Sequence, residues 1–534
     1  MNINVKIALS TSVLALFAST PALAKVEVSP YLEVAQVLTA DLRNGGDVVT
    51  YSSVAAGVDA SVSNSRTELQ VNYRYERRFG YGSDNIGAQD VHSGLARGAI
   101  QVVPNILSFE AGALATRARV DIRGDAPAIL NGNVDNITQV YSVYAGPTLT
   151  TNVGPLQVAA AYRAGYTKVE GRTTALAAGQ PQLDNFDSSI NHLVTASVGM
   201  ETGQLPFGWT VSGAYEREDA EQLDQRFESK GIRGDVVVPV TPVLALVGGV
   251  GYEDIQSSQR APLLTAGGTP VVDGNGRFVT DPTSPRLLAY DQDGIYWDAG
   301  VLWKPSSRTT LEARVGRRYG SWSYTGSLAY QLSSATNIGV AVFDNVETFG
   351  QQLNDGLARL PTSFTTSRNP LSPQFNGCVF GSGDAGAGGC LNDALSAVNS
   401  SVYRTRGVNG QISTQRGRLS AGLGLGYSRR TFSAPTGVGF SVNGLSDQNY
   451  YGQADIGYQI DDSSNLSGAV YAGYFDSGIA GAGGVLSTGA TGSYSRTFGR
   501  RLSATAALGL YSSKVDGFEG DLSAQALLGA RYQF

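Results

Sequence analysis

Methionine, cysteine and histidine are nearly missing from this chain of 534 residues, with two of each. Two cysteines with no histidine nearby cannot complete a four-ligand metal site. Charged residues are only 16% of the chain, and helix-period segments are scarce, which argues against a soluble multi-domain enzyme of this length. The formal charge of −6 is modest and no basic run is present, so nucleic acid is not an expected partner. Beyond residue 24 no run of 18 apolar residues occurs, so no transmembrane helix is expected there.

What the chain has instead is glycine (67 residues), tyrosine in excess of phenylalanine (26 against 18), and much serine and threonine. That mixture suits many short strands. Residues 1–24 read as a secretory signal: Lys6 supplies the positive start, Ile7 to Thr20 the apolar stretch, and Ala22-Leu23-Ala24 the cleavage site. The expected mature chain, residues 25–534, forms one domain, and losing Lys6 leaves 38 basic against 45 acidic residues, or −7. No cysteine follows the cleavage site to carry a lipid. Export without a helical anchor leaves the periplasm, secretion or the outer membrane.

From Val26 onward, stretches of alternating character recur between breaks. In Glu68–Arg78, Leu69, Val71, Tyr73 and Tyr75 oppose Glu68, Gln70, Asn72, Arg74, Glu76 and Arg78. Ile295–Lys304 and Arg418–Arg430 repeat the pattern, and so does Asp521–Phe534, where Leu522, Ala524, Ala526, Leu528, Ala530, Tyr532 and Phe534 share one parity. Alternation with period two gives a strand one apolar and one polar face. Short breaks such as Pro239–Pro242 and Asp461–Ser464 alternate with long ones such as Asp121–Asn136, Ser257–Asp291 and Gly350–Asn399. The chain reads as all-β with about 22 strands (range 18–26), least regular at Ile137–Thr150 and Ser400–Thr414. A secreted propeller or β-helix would show a signature at fixed period, and none is found.

This pattern, with a carboxy-terminal phenylalanine closing the last strand, resembles the large porin-like β-barrels of the Gram-negative outer membrane. It is similar to uncharacterised large barrels, some of them associated with exopolysaccharide export. The resemblance implies a transmembrane antiparallel barrel with short periplasmic turns and long extracellular loops. It also implies contact with lipopolysaccharide and recognition of Phe534 by the barrel-assembly machinery. Energy-coupled transporters carry a globular plug before the first strand. Strand signal here starts at Val26, so a plug of that kind is not expected.

The polar parity would face the lumen. It carries Glu68, Arg74, Glu76, Arg78, Arg163, Asp298, Glu312, Arg314, Arg318, Arg418, Arg430, Asp455 and Arg531. Such residues either line a water-filled pore or pair across strands and stiffen the wall. With Lys304, the bases among them outnumber the acids, which predicts a weak preference for anions. Arginines cluster at strand ends on the long-loop side: Arg77-Arg78, Arg117 and Arg119, Arg317-Arg318, Arg404 and Arg406, Arg429-Arg430. They would clamp lipid phosphate or ring the pore mouth. Cys378 and Cys390, in the longest loop, are expected to form one disulfide. Gly381-x-Gly383-x-x-Gly386 matches a dinucleotide fingerprint by letter but follows no strand–helix unit. His92 and His192 recur in the manner of outer-membrane proteases and phospholipases, yet they fall on the lipid-facing parity, so no catalytic residue, metal or cofactor is expected.

The functional expectation is a channel passing hydrophilic solutes by diffusion through a water-filled lumen, with Ser257–Asp291 and Gly350–Asn399 long enough to reach inward. A component of exopolysaccharide export, and a structural or adhesive barrel without transport, are the alternatives. Substrate and oligomeric state are left open.

Overall fold

The computed structural model describes residues 25–43, 48–81, 89–120, 137–170, 183–366, 369–372, 375, 377–381, 386–436 and 441–534. The stretch read as a signal, and the acidic loop 121–136, lie outside the described residues.

Twenty-two strands form one antiparallel sheet that closes on itself. The first strand, Lys25–Asp41, pairs with the last, Asp521–Gln533, setting Tyr31 opposite Gln533 and Asp41 opposite Ser523. An up-and-down ring can close antiparallel only with an even number of strands. Strand lengths run from 10 residues in Thr309–Arg318 to 20 in Leu287–Ser306. About 9–11 tilted residues suffice to cross a bilayer, so the longer strands continue beyond it.

Alternation sorts the two faces. On the first strand Val26, Val28, Leu32, Val34 and Leu38 are exposed, while Tyr31, Ala35 and Val37 are buried. On the last, Leu528 is 70% exposed and Phe534 61%, while Gln525 and Leu527 are buried. Large apolar side chains are exposed on every strand of the ring, which would be costly in water and is favourable in lipid. Many inward glycines make room for aromatic rings. Tyr31, Tyr144, Tyr296, Tyr451 and Tyr471 lie directly opposite Gly57, Gly112, Gly251, Gly426 and Gly489 on neighbouring strands. In each pair the ring occupies the space a Cβ on the glycine would need.

Several breaks differ from expectation. Strands Leu244–Gln259 and Leu287–Ser306 extend past the membrane, so the expected loop Ser257–Asp291 shortens to 260–286. That loop folds on itself through the bridges Pro262 to Thr280 and Val272 to Phe278, and packs at the rim rather than in the lumen. Tyr319-Gly320 makes a tight turn on the long-loop side, with φ of 53° and 69°. The irregular stretch is the strand Ile137–Val153. Its pairing with Leu156–Glu170 lapses at Gly146-Pro147, because proline has no N–H to give the ladder.

Candidate functional site

Among the described residues, one long connection between neighbouring strands departs from a simple hairpin. Between Thr336–Glu347 and Val402–Arg416, which pair directly, the chain runs through 54 residues, 348–401. This segment turns into the barrel. Thr348 starts it as a helix cap: its Oγ1 accepts from Gln351 N at 3.3 Å, and its N–H donates to Gln351 Oε1 at 2.9 Å. In the helix Phe349–Arg359, Phe349, Leu353 and Leu357 recur every fourth residue and are fully buried. They pack on the inner wall against Leu95, Leu114, Val140, Tyr144, Val169 and Phe186.

Polar side chains complete the dock. Asn354 Oδ1 accepts from Ser142 Oγ at 3.0 Å, and Asn354 Nδ2 donates to Thr167 Oγ1 at 3.3 Å. Gly165, lacking a side chain, leaves the space Asn354 fills. Arg163 pairs with Asp355 at 2.7 Å. At the helix end Arg97 donates to the carbonyls of Ala358 and Leu360, at 2.9 and 3.0 Å, where orphan acceptors and the negative dipole end favour a cation.

Near the short-turn end Thr362 donates to Glu68, and Gln70 exchanges two hydrogen bonds with the backbone of Phe364. The chain then returns through a small sheet of Phe364–Thr366, Cys378–Gly381 and Gly388–Cys390. Cys378 and Cys390 face each other in register and are bonded. Their sulfurs lie over Gly424 and the Phe380 ring over Gly422, where any Cβ on the wall would collide. The bond is therefore inside the lumen, not in a surface loop. The segment leaves at the mouth, where Val398 N donates to Arg119 O at 2.9 Å. The capping box Thr348-x-x-Gln351 and the fourfold apolar spacing are legible in the sequence, but the glycine-rich stretch that follows masked them.

Most of the expected lumen residues do face inward, and they are paired. Arg74, Glu76 and Arg78 form a chain along one strand, at 3.0 and 2.7 Å, and Arg74 also meets Glu33 at 2.9 Å. Arg531 pairs with Asp59 at 2.7 Å, its guanidinium over the Tyr31 ring. Arg430 makes a bidentate pair with Asp447 and donates to Ala397 O at 2.9 Å, fastening the segment's exit. Asp455 accepts from Gln453 at 3.2 Å. Arg418 is the exception. It sits in the two-residue turn 417–418, exposed, with its guanidinium on Ile460 O, because the alternation was carried one residue past the strand's start.

The adjacent arginines split across the wall. Arg78, Arg318 and Arg430 point in and are neutralised by Glu76, Glu253 and Asp447. Arg77 and Arg317 lie against Asp90 and Trp322, both exposed. Arg404 and Arg406 share Asp344. No unpaired ring of arginines at the mouth emerges from these groups.

Among the described residues, one side of the lumen is lined by wall residues alone. There Arg233 joins Asp235 at 2.8 Å and Asp298 at 2.7 Å. Arg314 joins Asp235 at 2.7 Å, Asp298 at 3.0 Å and Glu312 at 2.5 Å. Arg318 pairs with Glu253 at 2.6 Å and stacks on Tyr296. A cavity of about 450 Å³ faces this network. Three arginines here meet four carboxylates, a local balance of −1, so the basic wall expected from the sequence is not found on this side. That expectation counts neither the acids Asp235 and Glu253 nor the base Arg233.

A closed ring that is apolar outside and charged inside suits lipid around it and water within it. The chain is a closed β-barrel whose outer face is built for a membrane. His92 and His192 of this barrel each bond an exposed outer-face tyrosine, Tyr73 at 2.7 Å and Tyr162 at 2.8 Å, away from the lumen. No protein-family model matches the chain, and no curated protein matches it. Solved structures that resemble it include the FrpB iron transporter from Neisseria meningitidis, at 10% identity and a TM-score of 0.43, covering 95% of this chain and 82% of that one. The ferric-catecholate import receptor Fiu from E. coli K12 aligns at 11% identity and 0.43, covering 94% and 81%. The siderophore receptor PirA from Acinetobacter baumannii aligns at 10% and 0.42, covering 96% and 81%. At those values nothing about this barrel's cargo follows from the likeness.

Proposed function

We propose that this barrel is a gated outer-membrane transport protein for a hydrophilic solute, with segment 348–401 as the gate. A lumen open to free diffusion does not agree with a hydrophobic core built inside it. The observation that carries the reading is asymmetry. The segment's helix is fastened to the wall by Leu353, Arg163 and Arg97, while the wall bearing Arg233, Asp298 and Arg314 faces the cavity of about 450 Å³. Water and small ions would pass on the ion-paired side, and larger solutes would need the segment to shift.

The test is conductance in planar bilayers of the whole barrel and of a variant with residues 349–400 replaced by a short Gly-Ser linker. Glu347 and Val402 belong to paired neighbouring strands, so a short linker spans the gap. The expected result is small or rare steps for the intact barrel and large, steady ones for the variant. A folded variant that conducts no better than the intact barrel would refute the gate.

A further inference from the structure

The ion-paired cavity is not the only space in the lumen. On the opposite side of segment 348–401, three further cavities of about 200, 190 and 670 Å³ lie between the segment and the strands from Ser446 to Gln533, the second reaching residues 413–422 and the third the first four strands. Asn369 lines all three, and each shares further residues with the next, so they form one track. Its upper end lies beside Phe475 and Arg119, near the mouth. Its lower end opens among Ser495, Thr497 and Ser503, beside the short turns.

The chemistry of this track differs from that of the other side. Its wall is rich in neutral donors and acceptors, among them Ser467, Ser493, Thr491 and Gln453. The charges that reach its lower end are already compensated, Arg74 by Glu33 and Arg531 by Asp59. At the upper end the Tyr451 ring lies over Gly426 and the Tyr471 ring over Gly489, so the two rings turn to opposite sides and each covers its own stretch of wall. The Tyr451 hydroxyl is buried without a hydrogen-bond partner in the protein. Arg117, Arg119, Asp455 and Glu27 also line the track, which gives four bases against four acids in all. Aromatic surface beside amides and hydroxyls, with no net charge to offer, suits a ring that is apolar on its faces and hydroxylated at its edge. A cavity of 200 Å³ would hold about six or seven waters, a space on the scale of one sugar ring.

We infer that this track is the binding path for an uncharged polyhydroxylated solute, a free mono- or oligosaccharide, with the rings of Tyr451 and Tyr471 as two separate apolar faces on its wall and Asn369 at its centre. This deepens the gated-transport reading and rests on it for the direction of passage, but the binding itself can be tested alone.

The probe is raffinose, a neutral trisaccharide, observed by saturation-transfer difference NMR on the full barrel in lauryldimethylamine oxide, a detergent without sugar groups. Glucose 6-phosphate serves as the charged comparator. Raffinose should show a saturable signal at millimolar concentration, at least fivefold above that of the phosphate. Ser467 and Ser493 hydrogen-bond to each other at 2.6 Å and face the middle of the track. Filling it with Ser467→Phe and Ser493→Phe should reduce the signal at least tenfold, while the ion conductance of the other side stays as in the intact barrel. Tyr451→Phe keeps the ring and should lower affinity only severalfold, which separates binding from misfolding. No raffinose signal, or a signal that survives the filled track, overturns the inference and leaves the gate untouched. A linker variant that stays closed overturns the gate while a raffinose signal in the intact barrel would stand.

Discussion

Leu353→Ala should loosen the gate without weakening the barrel. Leu353 is fully buried between the helix and the inner wall, in a cluster shared with Phe349, Leu357, Val140 and Tyr144. Truncating such a leucine removes its transfer free energy and leaves a hole, costing about 2–5 kcal/mol. The ring's own stability comes from hydrogen bonds between neighbouring strands, and Leu353 contributes to none of those pairings. The cost therefore falls on docking of the segment. At about 1.4 kcal/mol per decade, it multiplies the ratio of undocked to docked segment by roughly 30 to 4,000. Planar-bilayer recording should show openings at least tenfold more frequent, with the heat resistance of the barrel in detergent unchanged. Leu528→Ala, on the lipid face, removes the same atoms and should leave the gating as it is. If Leu353→Ala lowers the barrel's melting temperature and leaves gating and protease sensitivity of 349–400 unaltered, the segment is part of the wall and the reasoning fails.

Asp447→Asn should cost about 3–5 kcal/mol, read by denaturant unfolding in micelles, because it strands the guanidinium of Arg430, which is 1% exposed. Arg314→Gln changes the ion-paired side from three arginines against four carboxylates to two against four, so cation preference should rise in a reversal-potential measurement, most in dilute salt; no change would mean that ions take another path. Reduction of Cys378–Cys390 should leave the ring intact and expose the hairpin to protease, which should not reach it beforehand because it lies in the lumen. At the rim, burial pushes the Asp184 carboxyl up to about 7, against hydrogen bonds from Phe278 N and Gln222. A folded-state value above the unfolded one favours docking in acid and loses that support as pH rises through 7, so loop 260–286 should be cut faster at pH 8 than at pH 6, and Asp184→Asn should remove the difference.

The ring was legible in the sequence because a strand whose two faces meet different solvents must alternate. Val34 and Glu33 cannot exchange places without putting a carboxylate in lipid. The same constraint fails where a strand end leaves the membrane, and there the reading slipped: Arg418 was taken into the wall, and the strand after loop 260–286 was begun too late, at Asp291 instead of Leu287. It fails again in 348–401, which touches no lipid. Phe349, Leu353 and Leu357 carry a helix period, yet they bury themselves against the inner face, the one place where a barrel sequence is expected to be polar. Val140 and Leu114 are the answering signal on the wall. Buried apolar residues on the lumen side of a barrel strand mark where something packs inside it.

The charge balance of the ion-paired side is hard to read from the sequence for a cause of the same kind. Arginines were easy to count because they are long and stand out among glycines and serines. Their partners Asp235, Glu253, Asp344 and Asp447 sit one to three strands away, at sequence separations of 17 to 79 residues, and no local pattern links them. Cross-strand pairing places a carboxylate where an isolated guanidinium in a narrow lumen would be costly, so each inward arginine predicts an acid on a strand beside it. Parity supplies the side and register supplies the neighbour. Given hairpin connections, Arg430 directly opposite Asp447 follows from the turn between them alone. Lumen charge in a barrel is therefore a property of pairs of strands, and only a residue with no opposite partner within reach would bias the ions that pass.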